Sequence, residues 1–167
     1  MGKVLLPSVI VEVEGPVVFL AGPIQGAPDW HEEAARILLE LDSAFTIASP
    51  RALPNEYETF DEAHYRAQVD WETHYLRRAA REGVIMFWLA KEKTHIHERA
   101  YAQTSRFEIG EWKERHMRDG AKLVVGIEDG FSGARYVRHR FGQDCPEVPV
   151  VSSLREACEA AVRLVPS

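Results

Sequence analysis

Apolar residues along this chain follow two rhythms. Short unbroken runs at 17–20, 45–48, 84–89 and 123–127 have the pattern of strands buried on both faces. Between and after them, apolar positions recur three and four apart over 29–42, 61–81, 105–118 and 154–164, the spacing of amphipathic helices. Residues 148–151 read as a fifth strand, and Pro149 places it at a sheet edge. Residues 9–14 are β-rich and begin to alternate with glutamates, so 1–15 reads as an N-terminal arm or an edge strand, closed by Gly15-Pro16. Strands that alternate with helices require βαβ crossovers. The expectation is an α/β protein, a three-layer sandwich with a central five-stranded parallel sheet and helices on both faces, in one domain over 1–167.

Local signals refine the elements. Asp29 and Glu32 form the pattern of a capping box, opening a helix whose Ala35, Leu38, Leu39 and Leu41 point mostly inward. On the next helix, a 100° wheel gathers Tyr65, Val69, Thr73, Leu76 and Ala80 into one stripe. Glu72 falls at its edge, Asp70 well to one side and Trp71 further round. Ser105-x-x-Glu108 is a second capping-box pattern, with Ser105 as N-cap, and Gly120 is placed to end that helix. The polar, proline-containing stretch 51–60 reads as a mobile loop over the strand ends. The stretch 130–142 reads as a loop with a short basic helix.

Composition narrows the function classes. The chain has 167 residues, 46% hydrophobic and 28% charged, with a net charge of −6. The charge argues against a nucleic-acid polymer or an anionic membrane as partner. No apolar run is long enough to span a bilayer, and the start lacks the order of a secretory leader. Cys145 and Cys158 form no CxxC pair, so a cytoplasmic protein with reduced thiols is expected.

Candidate chemistry gathers where strands end, the usual place for ligands in open α/β sheets. Gly22-Pro23-Ile24-Gln25-Gly26 follows a buried strand and precedes a helix, presenting backbone N–H groups to something polar. It is neither GxGxxG nor a P-loop, which removes the usual dinucleotide and nucleoside-triphosphate motifs. Glu108 in a first helical turn would stay ionised beside free N–H groups, as a nucleophile must, but a capping box explains it equally well. Gly110 would let that helix approach the sheet or a ligand. Glu72, at the margin of an apolar stripe, needs a partner or a solvated cleft. Trp88 could stack on a flat ring or belong to the core. Arg106 could bind an anion or face solvent. His95 and His97 in a polar loop read as solvated side chains, and no metal or cofactor is expected.

Taken together, Phe19-Leu20-Ala21-Gly22-Pro23-Ile24, Trp71-Glu72, Val84-Ile85-Met86-Phe87-Trp88 and Phe107-Glu108-Ile109-Gly110 resemble the nucleoside 2-deoxyribosyltransferase-like family, over roughly 17–127. The resemblance implies a flavodoxin-like or Rossmann-like sandwich that binds a nucleoside or nucleotide. It puts the family's nucleophile on Glu108, which attacks C1′ and forms a glycosyl-enzyme ester that a second base or water resolves. The family's acid falls on Glu72, with Asp70 the alternative. Gly22 to Gly26 would hold the sugar or its 5′ end, with Ser105 and Arg106 near the substrate and Trp88 beside the base. A homodimer or higher oligomer is implied. Two departures stand out. Ala102-Gln103-Thr104-Ser105 replaces a family carboxylate upstream of the nucleophile, and the first loop lacks the serines and arginine with which related nucleotide N-glycosidases hold phosphate. A non-catalytic nucleotide-binding or sensing module is the alternative function, and a purely structural domain a third.

Overall fold

The computed structural model describes residues 2–7, 9–51 and 61–166. Six parallel strands form one sheet in the order β1-β3-β2-β4-β5-β6. They are β1 (Lys3–Leu5), β2 (Val17–Ala21), β3 (Thr46–Ala48), β4 (Gly83–Leu89), β5 (Leu123–Ile127) and β6 (Val150–Val151). The helices are α1 (Trp30–Leu41), α2 (Glu62–Glu82), α3 (Gln103–Asp119), α4 (Ala134–Asp144) and α5 (Leu154–Leu164). Without β1, the remaining five strands have the doubly wound order 2-1-3-4-5, the flavodoxin-like arrangement.

A sixth strand extends the expected five-stranded sheet at the N-terminus. Lys3–Leu5 pairs with β3 and forms the edge, whereas 9–14 is not a strand. That segment is an arm tied to α2. The Tyr75 hydroxyl donates to the Val11 carbonyl at 2.8 Å and accepts from the Val11 N–H at 3.0 Å, and Arg78 donates to the carbonyls of Val13 and Gly15. The alternation that suggested a strand here reflects Val11 and Val13 packing on the core while Glu12 and Glu14 face out. At the other edge β6 is shorter than expected. The Pro149 carbonyl accepts from the Val125 N–H, while its nitrogen has no hydrogen to give to β5.

Every residue of β2, β4 and β5 is buried, which explains their unbroken apolar runs. Side chains alternate between two cores. Phe19, Ala21, Ile85 and Phe87 face α2, α3 and α4. Val18, Leu20, Met86 and Trp88 face α1 and α5.

The helices depart from their wheels in instructive ways. The buried face of α2 is Trp71, Tyr75, Leu76 and Ala79, and Tyr65 and Val69 of the expected stripe are exposed. The large aromatics, not the small stripe, decided which way this long helix rolled, because they bury the most apolar area. Leu41 is also exposed, and α1 buries Ala34 and Ile37 instead. Asp29 makes no side-chain cap and pairs with Arg51 at 3.4 Å. The expected loop over the site falls, from residue 52 to residue 60, outside the described residues.

Candidate active site

The β2–α1 loop, the β4–α3 loop and the facing sides of α2 and α3 enclose a cavity of ≈ 410 Å³ at the carboxyl ends of β2 and β4. This is the point where strand order reverses, and the volume suits a small organic ligand. Phe19 and Ala21 floor it, and Gly22, Pro23, Ile24 and Gln25 form one wall. Gly22 has φ +153, and a Cβ there would lie 2.2 Å from the Trp88 carbonyl oxygen and 2.7 Å from the Trp30 ring. Only glycine allows the chain to turn this close to β4. Trp30 also donates from its indole to the Pro23 carbonyl at 2.9 Å, holding the wall in place.

Glu72 and Glu108 enter this one cavity from α2 and α3. α3 begins at Gln103, earlier than the capping-box pattern requires. Ser105 therefore lies inside the first turn and Glu108 in the second. The cap position is Ala102, in a left-handed conformation with φ +56 and without a side-chain cap. Glu108 thus lacks the terminal N–H groups that were expected to keep it ionised. Burial, then the Glu72 and Glu111 charges, push its carboxyl up to about 8. Burial raises Glu72 too, opposed by a hydrogen bond that Gln68 donates to Glu72 Oε1 at 3.1 Å. The Glu72 charge is thus one of the causes that hold Glu108 in its protonated form.

Ser105 also lines the cavity and is 3% exposed. Other residues named from sequence lie elsewhere. Asp70, two residues before Glu72, is exposed and outside the cavity, which leaves Glu72 as the α2 carboxylate within it. Trp88 belongs to the α1/α5 core, where its ring would meet a Cβ on Gly126 at 2.5 Å. Alternation along β4 points Phe87, not Trp88, to the cavity's face of the sheet. The Gly26 carbonyl accepts from the backbone N–H groups of Lys93 and Thr94, joining two loops behind the wall. Arg106 donates to the carbonyls of Tyr101 and Ser132 and lies 4.5 Å from the Phe131 ring centroid, fastening α3 to the loop before α4. Gly110 is exposed with nothing near its missing side chain, so it serves no close approach.

The cavity also holds residues that sequence reading passed over, chiefly Gln68, Arg99 and Pro50. Gln68 had a legible signal, since it stands one helical turn before Glu72. Arg99 lies in an irregular loop, where no periodicity points to a partner. His95 and His97 stack edge to face at 4.8 Å, and among the described residues no group of three or more His, Cys, Asp or Glu is placed to hold a metal. No helix among them is long and apolar enough to cross a membrane.

A doubly wound α/β sheet with paired carboxylates in its strand-end crevice is the frame of a small-molecule enzyme or binding protein. Residues 15–131 match the model of the family described as nucleoside 2-deoxyribosyltransferase like, and the chain belongs to that family. No curated protein matches the chain.

Proposed function

We propose that this protein cleaves or transfers the N-glycosidic bond of a nucleoside or nucleotide. The observation that carries the reading is the meeting of Glu72 and Glu108 in one cavity walled by Gly22 to Gln25. Glu108 Oε attacks C1′ of the sugar as the C1′–N bond breaks, and the bonding pair leaves with the base nitrogen. A proton must reach that nitrogen, and the glutamate pair supplies it. Burial and the Glu72 and Glu111 charges favour the protonated form of Glu108. Positive charge developing at C1′ favours an ionised Glu108. Approach to the transition state therefore draws the proton from Glu108 to Glu72 and on to the departing base. Water or a second base then attacks C1′ of the ester and regenerates the Glu108 carboxylate. A homodimer or higher oligomer is part of this proposal.

The test is base release from a panel of nucleosides and 5′-nucleotides, followed by chromatography. Glu108→Ala should reduce turnover by at least about a thousandfold. Unchanged turnover would remove Glu108 from the mechanism. The protonated state of Glu108 favours one other reading, a nucleotide-binding module in which this carboxyl only donates a hydrogen bond to the ligand. Saturable binding with no base released over hours would select it.

A further inference from the structure

Gln68 stands one helical turn before Glu72 on α2, half-buried, and lines the cavity. Its side-chain nitrogen donates to Glu72 Oε1 at 3.1 Å, and its side chain makes no other hydrogen bond among the described residues. An ionised carboxylate only accepts, so the amide must turn its NH2 end to Glu72. Gln68 is left with one N–H and its carbonyl oxygen unpaired, a donor and an acceptor side by side in a fixed order. The other amides that line the cavity, Gln25 and Gln103, are exposed and bonded to nothing among the described residues. They turn freely and so cannot tell a donor from an acceptor.

An amide fixed in this way can read the edge of a flat heterocycle. Glutamine pairs with adenine by giving its N–H to ring nitrogen N7 and accepting from the 6-amino group. A 6-oxopurine carries an oxygen at that position, so the Gln68 carbonyl would meet a second acceptor with no proton between them. Glu72 decides which edge of the base faces Gln68. Its carboxyl must lie near the glycosidic nitrogen N9, and N7 shares the five-membered ring with N9. Cytosine also sets an amino group beside a ring nitrogen, but on the far side of the ring from its glycosidic nitrogen. Pro23, Ile24, Pro50 and Val69 line the same cavity and offer apolar surface to the faces of a ring.

We propose that Gln68, held by Glu72, selects the base, and that the protein prefers a 6-aminopurine to a 6-oxopurine. The inference rests on the glycosidic reading for the placement of N9 beside Glu72. Gln68 acts here as a specificity-determining residue and transfers no proton itself.

Calorimetry with adenine, hypoxanthine and 7-deazaadenine measures the base subsite by itself, and base release from adenosine, inosine, their 2′-deoxy counterparts and the 5′-nucleotides of each is followed in parallel. Adenine should bind about 10- to 100-fold tighter than hypoxanthine, and 7-deazaadenine, which lacks the N7 acceptor, should bind more weakly than adenine. The ratio of kcat/KM for adenine over hypoxanthine substrates should be of similar size. In Gln68→Leu each of these differences should shrink to within about threefold. Every ratio is taken within one variant, so the change that Gln68→Leu causes in Glu72 cancels. Circular dichroism and melting temperature confirm that the variant is folded. Adenine that binds selectively through Gln68 while no base is ever released supports the base subsite and refutes the glycosidic reading. Adenine and hypoxanthine released equally well, with a ratio indifferent to Gln68, overturn the subsite and leave the glycosidic reading standing. Adenine that binds no tighter than hypoxanthine, or a preference that Gln68→Leu leaves intact, also overturns it.

Discussion

The behaviour of Glu108 follows from the two charges and the burial around it. Removing the Glu72 charge should let Glu108 titrate below about 8, and carboxyl carbon NMR of Glu72→Gln checks this. Replacing Gln68 by leucine removes the bond that holds Glu72 down, so Glu72 titrates still higher. The acid limb of the rate–pH profile should then move upward, with turnover reduced about tenfold. Glu108 also weakens the fold at alkaline pH. Its folded value of about 8 exceeds its ordinary 4.5, so its contribution is intact below 4.5 and is lost as pH rises through 8. Glu108→Gln should therefore be more stable than the parent at pH 8 by on the order of 1 kcal/mol, allowing for partial exposure, and no more stable at pH 4. The carboxylates were legible from their place at strand ends and on an α2 margin. Their meeting was not, because it depends on two helices distant in sequence facing one cavity.

Among elements, α3 and the β2–α1 loop carry the sharpest constraints. Ala102 is the one non-glycine residue with positive φ among those described, at a position where L side chains are strained. Ala102→Gly should stabilise the protein by ~1 kcal/mol, about 2–4 °C in melting temperature. Gly22→Ala drives a methyl into the Trp88 carbonyl and should cost about 2–4 kcal/mol or displace the Pro23 wall with loss of ligand binding. Element types were readable because unbroken apolar runs and 3.6-residue periodicity are local properties. The true start of α3 was not. A left-handed alanine gives no sequence signal, whereas Ser105-x-x-Glu108 gave a false one.

At the scale of the whole molecule, two buried groups pull stability in opposite directions with pH. His31 is 2% exposed, and burial, then the Arg51 charge, lower it to about 3. It remains neutral while the unfolded chain protonates, so its contribution is complete above 6.5 and is lost as pH falls toward 3. Glu108 loses its contribution from 4.5 upward. Melting temperature should accordingly be nearly level between about pH 4.5 and 6.5 and fall on either side, and His31→Phe should flatten the acid limb in calorimetry. The sequence by itself determined the parallel α/β class, the order of most elements and the strand ends as the place of the candidate site, because hydrophobic period and crossover handedness are written locally. Tertiary structure decided which face of the sheet holds the site, that Trp88 and Arg106 serve the core and a loop, and that Lys3–Leu5 adds an edge. It also decided that Glu72, Glu108 and Arg99 share one cavity. The meeting of the two glutamates depends on how α2 and α3 roll against the sheet. Large aromatics such as Trp71 and Trp112 set that roll by burying their area, a competition between distant parts of the chain that no local pattern records.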